Sequence, residues 1–228
     1  MASVASGSRV RRRMKVAAMI AKALSVKSGM VLIAALAASA INTLPALAGP
    51  ERLARVLVSE ITQPPPGWVE FCVRQPAECA GPTTPPRDLA LSRGAWMDLV
   101  HLNKWVNEAI KPLTDLEHWG VIERWSYPDD GYGDCEDYVL LKRRMLIQSG
   151  WPREALLVTV VRDKEIKTHA VLTVTTDKGD YILDNQNDDI LLWSETGYRF
   201  VKRQSQSDPN VWVSLGDPAP AIATATSR

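Results

Sequence analysis

The feature that most constrains this chain is a change of hydrophobic period near residue 150. Before it, apolar residues recur at helical spacing; after it, they alternate. Leu91, Trp96, Leu99, Val100, Trp105 and Val106 predict a helix over residues 89–110, ended by Pro112. Val139, Leu140, Leu141, Met145, Leu146 and Ile147 predict a second helix. The turn Gly131-Tyr132-Gly133-Asp134 feeds it, and Gly150 and Pro152 stop it. Its cations Lys142, Arg143 and Arg144 are expected on the solvated side. Strands are then predicted at residues 156–162, 168–176, 180–184 and 198–202, with a further candidate at 211–215. On the second strand, His169, Val171, Thr173 and Thr175 share one face; Ala170, Leu172 and Val174 share the other. Helices followed by antiparallel hairpins make an α+β domain.

Residues 1–48 read differently. They carry Arg9, Arg11, Arg12, Arg13, Lys15, Lys22 and Lys27 and no acid, then an apolar stretch over 30–41. The stretch leads to Leu44-Pro45-Ala46-Leu47-Ala48-Gly49, with its Ala-x-Ala cut site. This is the pattern of a secretory signal peptide cleaved after Ala48. The apolar run is shorter than the ~20 residues a spanning helix needs, so membrane contact is expected only through the signal peptide and the mature protein in the periplasm. The expected domain is 49–216, with 217–228 a loose tail.

The leader takes seven of the 27 basic and none of the 26 acidic residues, leaving 20 against 26, a net charge of −6. An acidic domain without a basic stripe argues against nucleic acid as partner. At 46% hydrophobic and 23% charged, the chain does not have the composition of a disordered or fibrous protein. Residues 49–90 are proline-rich, with Pro64, Pro65 and Pro66 in a row, and are expected to be extended structure wrapping the domain. Residues 117–130 read as a loop dense in aromatics.

Three cysteines lie beyond the leader. In an exported protein two should pair and one stay free. Cys72 and Cys79 are separated by a short loop containing Pro76, which suits a local bridge and leaves Cys135 as the odd thiol. No Cys-x-x-Cys or His-x-x-x-His spacing suggests zinc. Cys135 falls in the first turn of a predicted helix, where free N–H groups and the dipole favour a thiolate. Its neighbours Asp134, Glu136 and Asp137 do not suit an inert core thiol. Three carboxylates alone would raise the thiol's pKa, so an opposing cation is needed: an imidazolium, a metal, or both.

His169, in an otherwise apolar and Thr-rich strand, is the candidate imidazole; His101 and His118 have no clear third partner. Asp184, ending the next strand, is the candidate orienting acid, with Asp188 as fallback. A two-residue turn at Lys178-Gly179 would set Asp184 opposite Thr173. A loop over 176–179 sets it opposite Val171, diagonal to His169, and this register is expected. The carboxylates of Asp134, Glu136 and Asp137 can supply hard oxygen ligands for Ca²⁺, although the EF-hand spacing is missing; spacing alone also fits acids complementing a helix N-terminus.

Gly133-Asp134-Cys135-Glu136-Asp137-Tyr138, followed by His169-Ala170-Val171-Leu172 and Leu183-Asp184-Asn185, resembles the bacterial transglutaminase-like cysteine proteinases. The resemblance spans roughly residues 65–215. It implies a papain-like core with Cys135 as nucleophile, His169 as general base and acid, and Asp184 as orienter. It also implies calcium at Asp134 and Glu136, with Asp137 a further ligand. It implies a large surface adhesin as substrate and an inner-membrane cyclic-di-GMP receptor as partner, for which an exposed Trp119 or Trp125 would be an anchor. The oxyanion would be met by the Cys135 N–H and the indole N–H of Trp125. The rival activities are acyl transfer to an amine, as in a true transglutaminase, and a non-enzymatic binding module; the triad alone does not separate hydrolysis from transfer.

Overall fold

The structure is a computed structural model and describes residues 54–80 and 83–216. The expected leader, 1–48, and tail, 217–228, lie outside the described residues. The chain runs β1 (Leu57–Thr62), α1 (Pro66–Arg74), α2 (Pro76–Cys79), α3 (Arg93–Ala109), β2 (Lys111–Pro112), α4 (Asp115–Trp119), β3 (Tyr132–Gly133) and α5 (Cys135–Gln148). It continues with β4 (Leu156–Arg162), β5 (Thr168–Thr176), β6 (Gly179–Leu183), β7 (Leu191–Leu192), β8 (Arg199–Gln204) and β9 (Trp212–Gly216). The antiparallel sheet has the order β1-β9-β8-β4-β5-β6-β7. No helix among the described residues is long and apolar enough to cross a membrane.

The alternation seen along β5 sorts its residues between two cores. Ala170, Leu172 and Val174 pack with Val139, Leu140 and Leu146 of α5 and with Trp68, Trp125 and Trp212. Val171 packs on the other side with Val161, Ile182, Trp193 and Phe200. The architecture is the expected α+β, and α5 lies against the middle of the sheet.

Four local readings change. The proline run opens α1 rather than extending the chain. Pro66 takes the first helical position, where no N–H is needed, and Trp68 and Phe71 turn into the core. The disulfide joins Cys72 and Cys79 as expected, across the α1–α2 corner. The helix expected over 89–110 begins at Arg93, because the Ser92 side chain caps it by accepting from Ala95 N–H at 3.1 Å, while Leu89 pairs with Thr176 of β5. A short helix, α4, interrupts the aromatic loop, started by a Thr114–Glu117 capping box and ended by Gly120 at φ 72°. Finally, Lys142 and Arg143 are 0% and 2% exposed rather than solvated. The α2 segment, α3 and the loop after β6 cover the side of α5 that its residue pattern assigns to water.

Candidate active site

The site forms where α5 begins. The first intrahelical bond runs from Tyr138 N–H to the Asp134 carbonyl, so the N–H groups of Cys135, Glu136 and Asp137 stand outside the helical ladder. A Cβ on Gly133 would lie 2.7 Å from Asp137, so only glycine lets the chain enter the helix this way. Cys135 is the free cysteine, partly exposed, on the wall of a cleft also lined by His169, Ala170, Trp125, Glu123 and Pro66.

The β5–β6 register brings the imidazole and its acid together. Thr176 faces Gly179, so the turn is Asp177-Lys178 rather than the expected loop over 176–179, while Leu172 faces Leu183, which continues to Asp184 opposite Val171, the expected register. His169 Nε2 lies 2.8 Å from Asp184 Oδ1, and both side chains are buried. Gln186 N–H donates to Asp184 Oδ1 at 2.9 Å and Tyr198 Oη–H to Oδ2 at 2.6 Å. Burial opposes the charge on Asp184, yet the hydrogen bonds from His169, Gln186 and Tyr198 outweigh it and hold the carboxyl below its usual range. Asp188 is not the third member: its Oδ1 accepts from Asn107 of α3 at 2.8 Å. Tyr198 and Gln186 were not expected; a Tyr at a strand edge and a Gln in a loop carry no sequence signal of their own.

The thiol itself donates to Glu136 Oε2 at 3.1 Å, not to His169. Burial of the sulfur and the Glu136 carboxylate push the thiol well above its ordinary pKa. The helix dipole, expected to favour a thiolate, is outweighed by these neighbours. The indole N–H of Trp125 is also engaged, donating to Glu123 Oε1 at 2.7 Å, and Trp125 is 3% exposed. It lines the cleft, but its donor is turned to Glu123 rather than toward an oxyanion, and its ring is no surface anchor. Trp119 is the exposed one of the pair, with the Arg124 guanidinium 4.3 Å from its ring.

The acidic neighbours regroup. Asp115, Asp134 and Glu136 each bring a carboxylate oxygen within 4.8 Å of the others. Asp137 does not join them; its Oδ1 accepts from Ser126 N–H at 2.7 Å. Asp115 takes its place because β2 and β3 pair in parallel, with Leu113 N–H donating to the Gly133 carbonyl at 3.0 Å, which carries the start of α4 beside Asp134. Burial raises all three carboxyls, and the Asp134 charge adds to the rise in Asp115 and Glu136. Oδ1 of Asp134 is buried without a hydrogen-bond partner. A cluster of crowded carboxylate oxygens with an orphaned lone pair fits a hard divalent cation such as calcium.

The sequence over residues 58–219 matches the family described as bacterial transglutaminase-like cysteine proteinase. The chain belongs to this family. Among solved structures, Legionella pneumophila LapG is similar in its calcium-bound form at 23% identity and TM-score 0.45, covering 56% of this chain and 75% of that one. The EGTA-treated form of the same protein gives 24% identity and TM-score 0.44, covering 54% and 71%. No curated protein matches the chain. As a bacterial transglutaminase-like cysteine proteinase, the protein is a cysteine peptidase that acts on a protein substrate, and its free cysteine is Cys135.

Proposed function

We propose that this protein is an exported, periplasmic, calcium-dependent cysteine endopeptidase that works through Cys135, His169 and Asp184. The observation that carries the reading is the buried 2.8 Å His169–Asp184 pair opening onto the same cleft as the free thiol. Asp184 occupies Nε2 of His169, so Nδ1, which the Gln186 side-chain amide approaches at 3.5 Å, is the nitrogen that would take the Cys135 proton. The thiol first turns from Glu136 to the imidazole. The resulting thiolate attacks the peptide carbonyl, and the oxyanion is met by the Cys135 N–H at the head of α5. His169 passes the proton to the leaving amine. It then takes a proton from water, whose oxygen attacks the thioester, and returns that proton to sulfur as the acid product leaves. Asp184 holds the imidazole in one tautomer and orientation throughout, supported by Tyr198 and Gln186.

Asp115, Asp134 and Glu136 would hold the calcium ion. Bound there, it supplies positive charge that balances the acids around the thiol. The family resemblance extends the proposal to a large surface adhesin as substrate and an inner-membrane cyclic-di-GMP receptor as regulator.

The test is to incubate the protein, with calcium, with a bacterial surface-protein fraction and follow fragment release. The wild-type protein should trim a large surface protein, and chelation should stop it. Cys135→Ser should abolish trimming while circular dichroism stays native. Fragment release by the folded serine variant would sink the mechanism.

A further inference from the structure

The cleft that holds the free thiol has walls of opposite charge. Glu123, Asp134 and Glu136 line it where the chain enters α5. Arg162 and Lys202 line it from the sheet, one at the end of β4 and one on β8. The proposed chemistry gives these two cations no task. Neither has an ion-pair partner among the described residues; their contacts are neutral oxygens. Arg162 Nη1 donates to Thr168 Oγ1 and to the Ile166 carbonyl at 3.4 Å, and Lys202 Nζ donates to the Gln63 carbonyl at 2.9 Å. These bonds fix both heads and leave their charge uncompensated. Nε and Nη2 of Arg162 and two protons of Lys202 remain for a ligand.

The strand register sets their distance from the chemistry. Ala170 follows His169 and lines the cleft with Cys135. It faces Val160 across β4 and β5, and Val160 faces Lys202 across β4 and β8. Directly opposed residues share a face of the sheet, so Ala170, Val160 and Lys202 form a row over three strands. At ~4.8 Å per strand, that row is about 10 Å long. Arg162 lies two residues beyond Val160 on the same face, opposite Thr168, and so about 8 Å from Ala170 on the diagonal. An extended peptide covers ~3.4 Å per residue. Both cations therefore lie about two to three substrate residues from the bond that Cys135 attacks. A carboxylate at that position would meet a guanidinium fork and an ammonium, while the acids on the opposite wall would repel it toward the sheet.

We propose that Arg162 and Lys202 determine specificity by selecting peptides that carry Asp or Glu two to three residues from the scissile bond, on one side of it. The inference rests on the endopeptidase reading above and deepens it by naming a substrate class.

The test digests a peptide pool, prepared from a bacterial lysate with a lysine-specific protease so that Asp and Glu stay inside the peptides. New termini are mapped by mass spectrometry, with Cys135→Ser as background. The wild-type protein with calcium should cut where Asp or Glu is enriched about two- to fivefold over the pool at such a position, the strength of a partly exposed ion pair. Added salt should shrink the enrichment. Arg162→Glu combined with Lys202→Glu should erase it and favour Arg there instead. Lys167→Glu, on the same β4–β5 hairpin but outside the cleft, should keep it. Cuts at non-acidic sites report that each variant is folded. Should the double reversal not fold, Arg162→Gln with Lys202→Gln takes its place and should erase the enrichment without inverting it. Wild-type cleavage with no acidic preference would overturn the proposal. So would a preference that survives the double variant, or one lost equally in Lys167→Glu, which would mark a general field rather than a subsite. A wild-type protein that cuts no peptide would instead overturn the endopeptidase reading, and this inference with it.

Discussion

The two ends of α5 bury charge in opposite ways. At its head, the carboxylates of Asp134 and Glu136 meet that of Asp115 from α4, and burial, with the Asp134 charge acting on the other two, holds them above the usual carboxylate range. Further along, Lys142 and Arg143 bury cations. Arg143 finds its compensation within the chain: Nε donates to the Leu156 carbonyl at 3.0 Å, and Nη1 faces Glu78 of α2 at 3.6 Å. Lys142 has carboxylates only at a distance. One helix therefore contains three degrees of compensation: a hydrogen bond and an ion pair at Arg143, distant carboxylates at Lys142, and, at the acidic head, the charge that the proposed calcium would supply. A buried charge with a good partner stabilises a fold, whereas one without a partner is retained where it serves a site.

The comparison breaks most visibly at Arg143. Replacing it with Met leaves the Leu156 carbonyl without its side-chain donor and Glu78 with the Arg153 cation alone at 3.7 Å, and should lower stability by about 3 kcal/mol, the upper end of the cost of an unsatisfied buried acceptor. The urea midpoint reads it directly. Lys142→Met, one residue away, should show no such fall. Equal losses in both variants would erase the distinction between a compensated and an uncompensated cation.

The acidic head is tested by its cation. Calcium at about a hundredfold over its dissociation constant should raise wild-type stability by ~2.7 kcal/mol. Asp134→Asn combined with Glu136→Gln should remove that gain. Asp115→Asn should reduce it, and Asp137→Asn should keep it. A protein whose gain vanished with Asp137 and survived loss of Asp115 would restore the ligand set expected from the Asp-Cys-Glu-Asp string.

That exchange of Asp137 for Asp115 shows where sequence reading stops. Cys135, His169 and Asp184 were legible because each sits where a helix start or a strand period places it, and one register choice joins the last two. The Cys72–Cys79 bond was legible from loop length. Asp115 was not, because its approach to Asp134 depends on a two-residue parallel pairing of β2 with β3 that no periodicity announces. The burial of Lys142 and Arg143 was hidden for a similar reason. A helical wheel assigns cations to water, and only the packing of α2, α3 and the 184–189 loop around α5 reveals that this side is covered. The proline run misled because Pro66 is as comfortable in the first turn of a helix as in an extended segment.

The carboxyls also separate by pH. Asp184 is held below its usual range, so its contribution to stability is present above its unfolded value and is lost as pH falls through the folded one. Asp137 behaves oppositely. Burial first, then the charges of Asp134 and Asp115, raise it to about 8. Its folded state favours the protonated form, so stability declines as pH rises from about 4 toward 8. With chelator present, wild-type protein should lose roughly 1–2 kcal/mol across that window, after allowance for relaxation around a buried carboxyl. Asp137→Asn should reduce the slope to the part that the raised Asp115, Asp134 and Glu136 contribute, whereas Asp184→Asn should leave it and lose stability at every pH above about 4. Urea unfolding at four or five pH values distinguishes them.

The smallest effect probes how Asp115 is held. Thr114 Oγ1 accepts from Glu117 N–H at 3.3 Å, and Glu117 Oε2 accepts from Thr114 N–H at 3.3 Å, closing the box at the start of α4. A helix of five residues does not persist by its own propensity. Its first turn therefore depends on this cap and on its attachment at β2. Thr114→Ala should cost about 1 kcal/mol of stability, the value of an N-cap. If α4 is what carries Asp115 to Asp134, the same substitution should weaken calcium binding about fivefold, although Thr114 is not a proposed ligand, as titration calorimetry would read. A loss of stability with unchanged calcium affinity would mean that the β2–β3 pairing positions Asp115 without help from the helix that follows it.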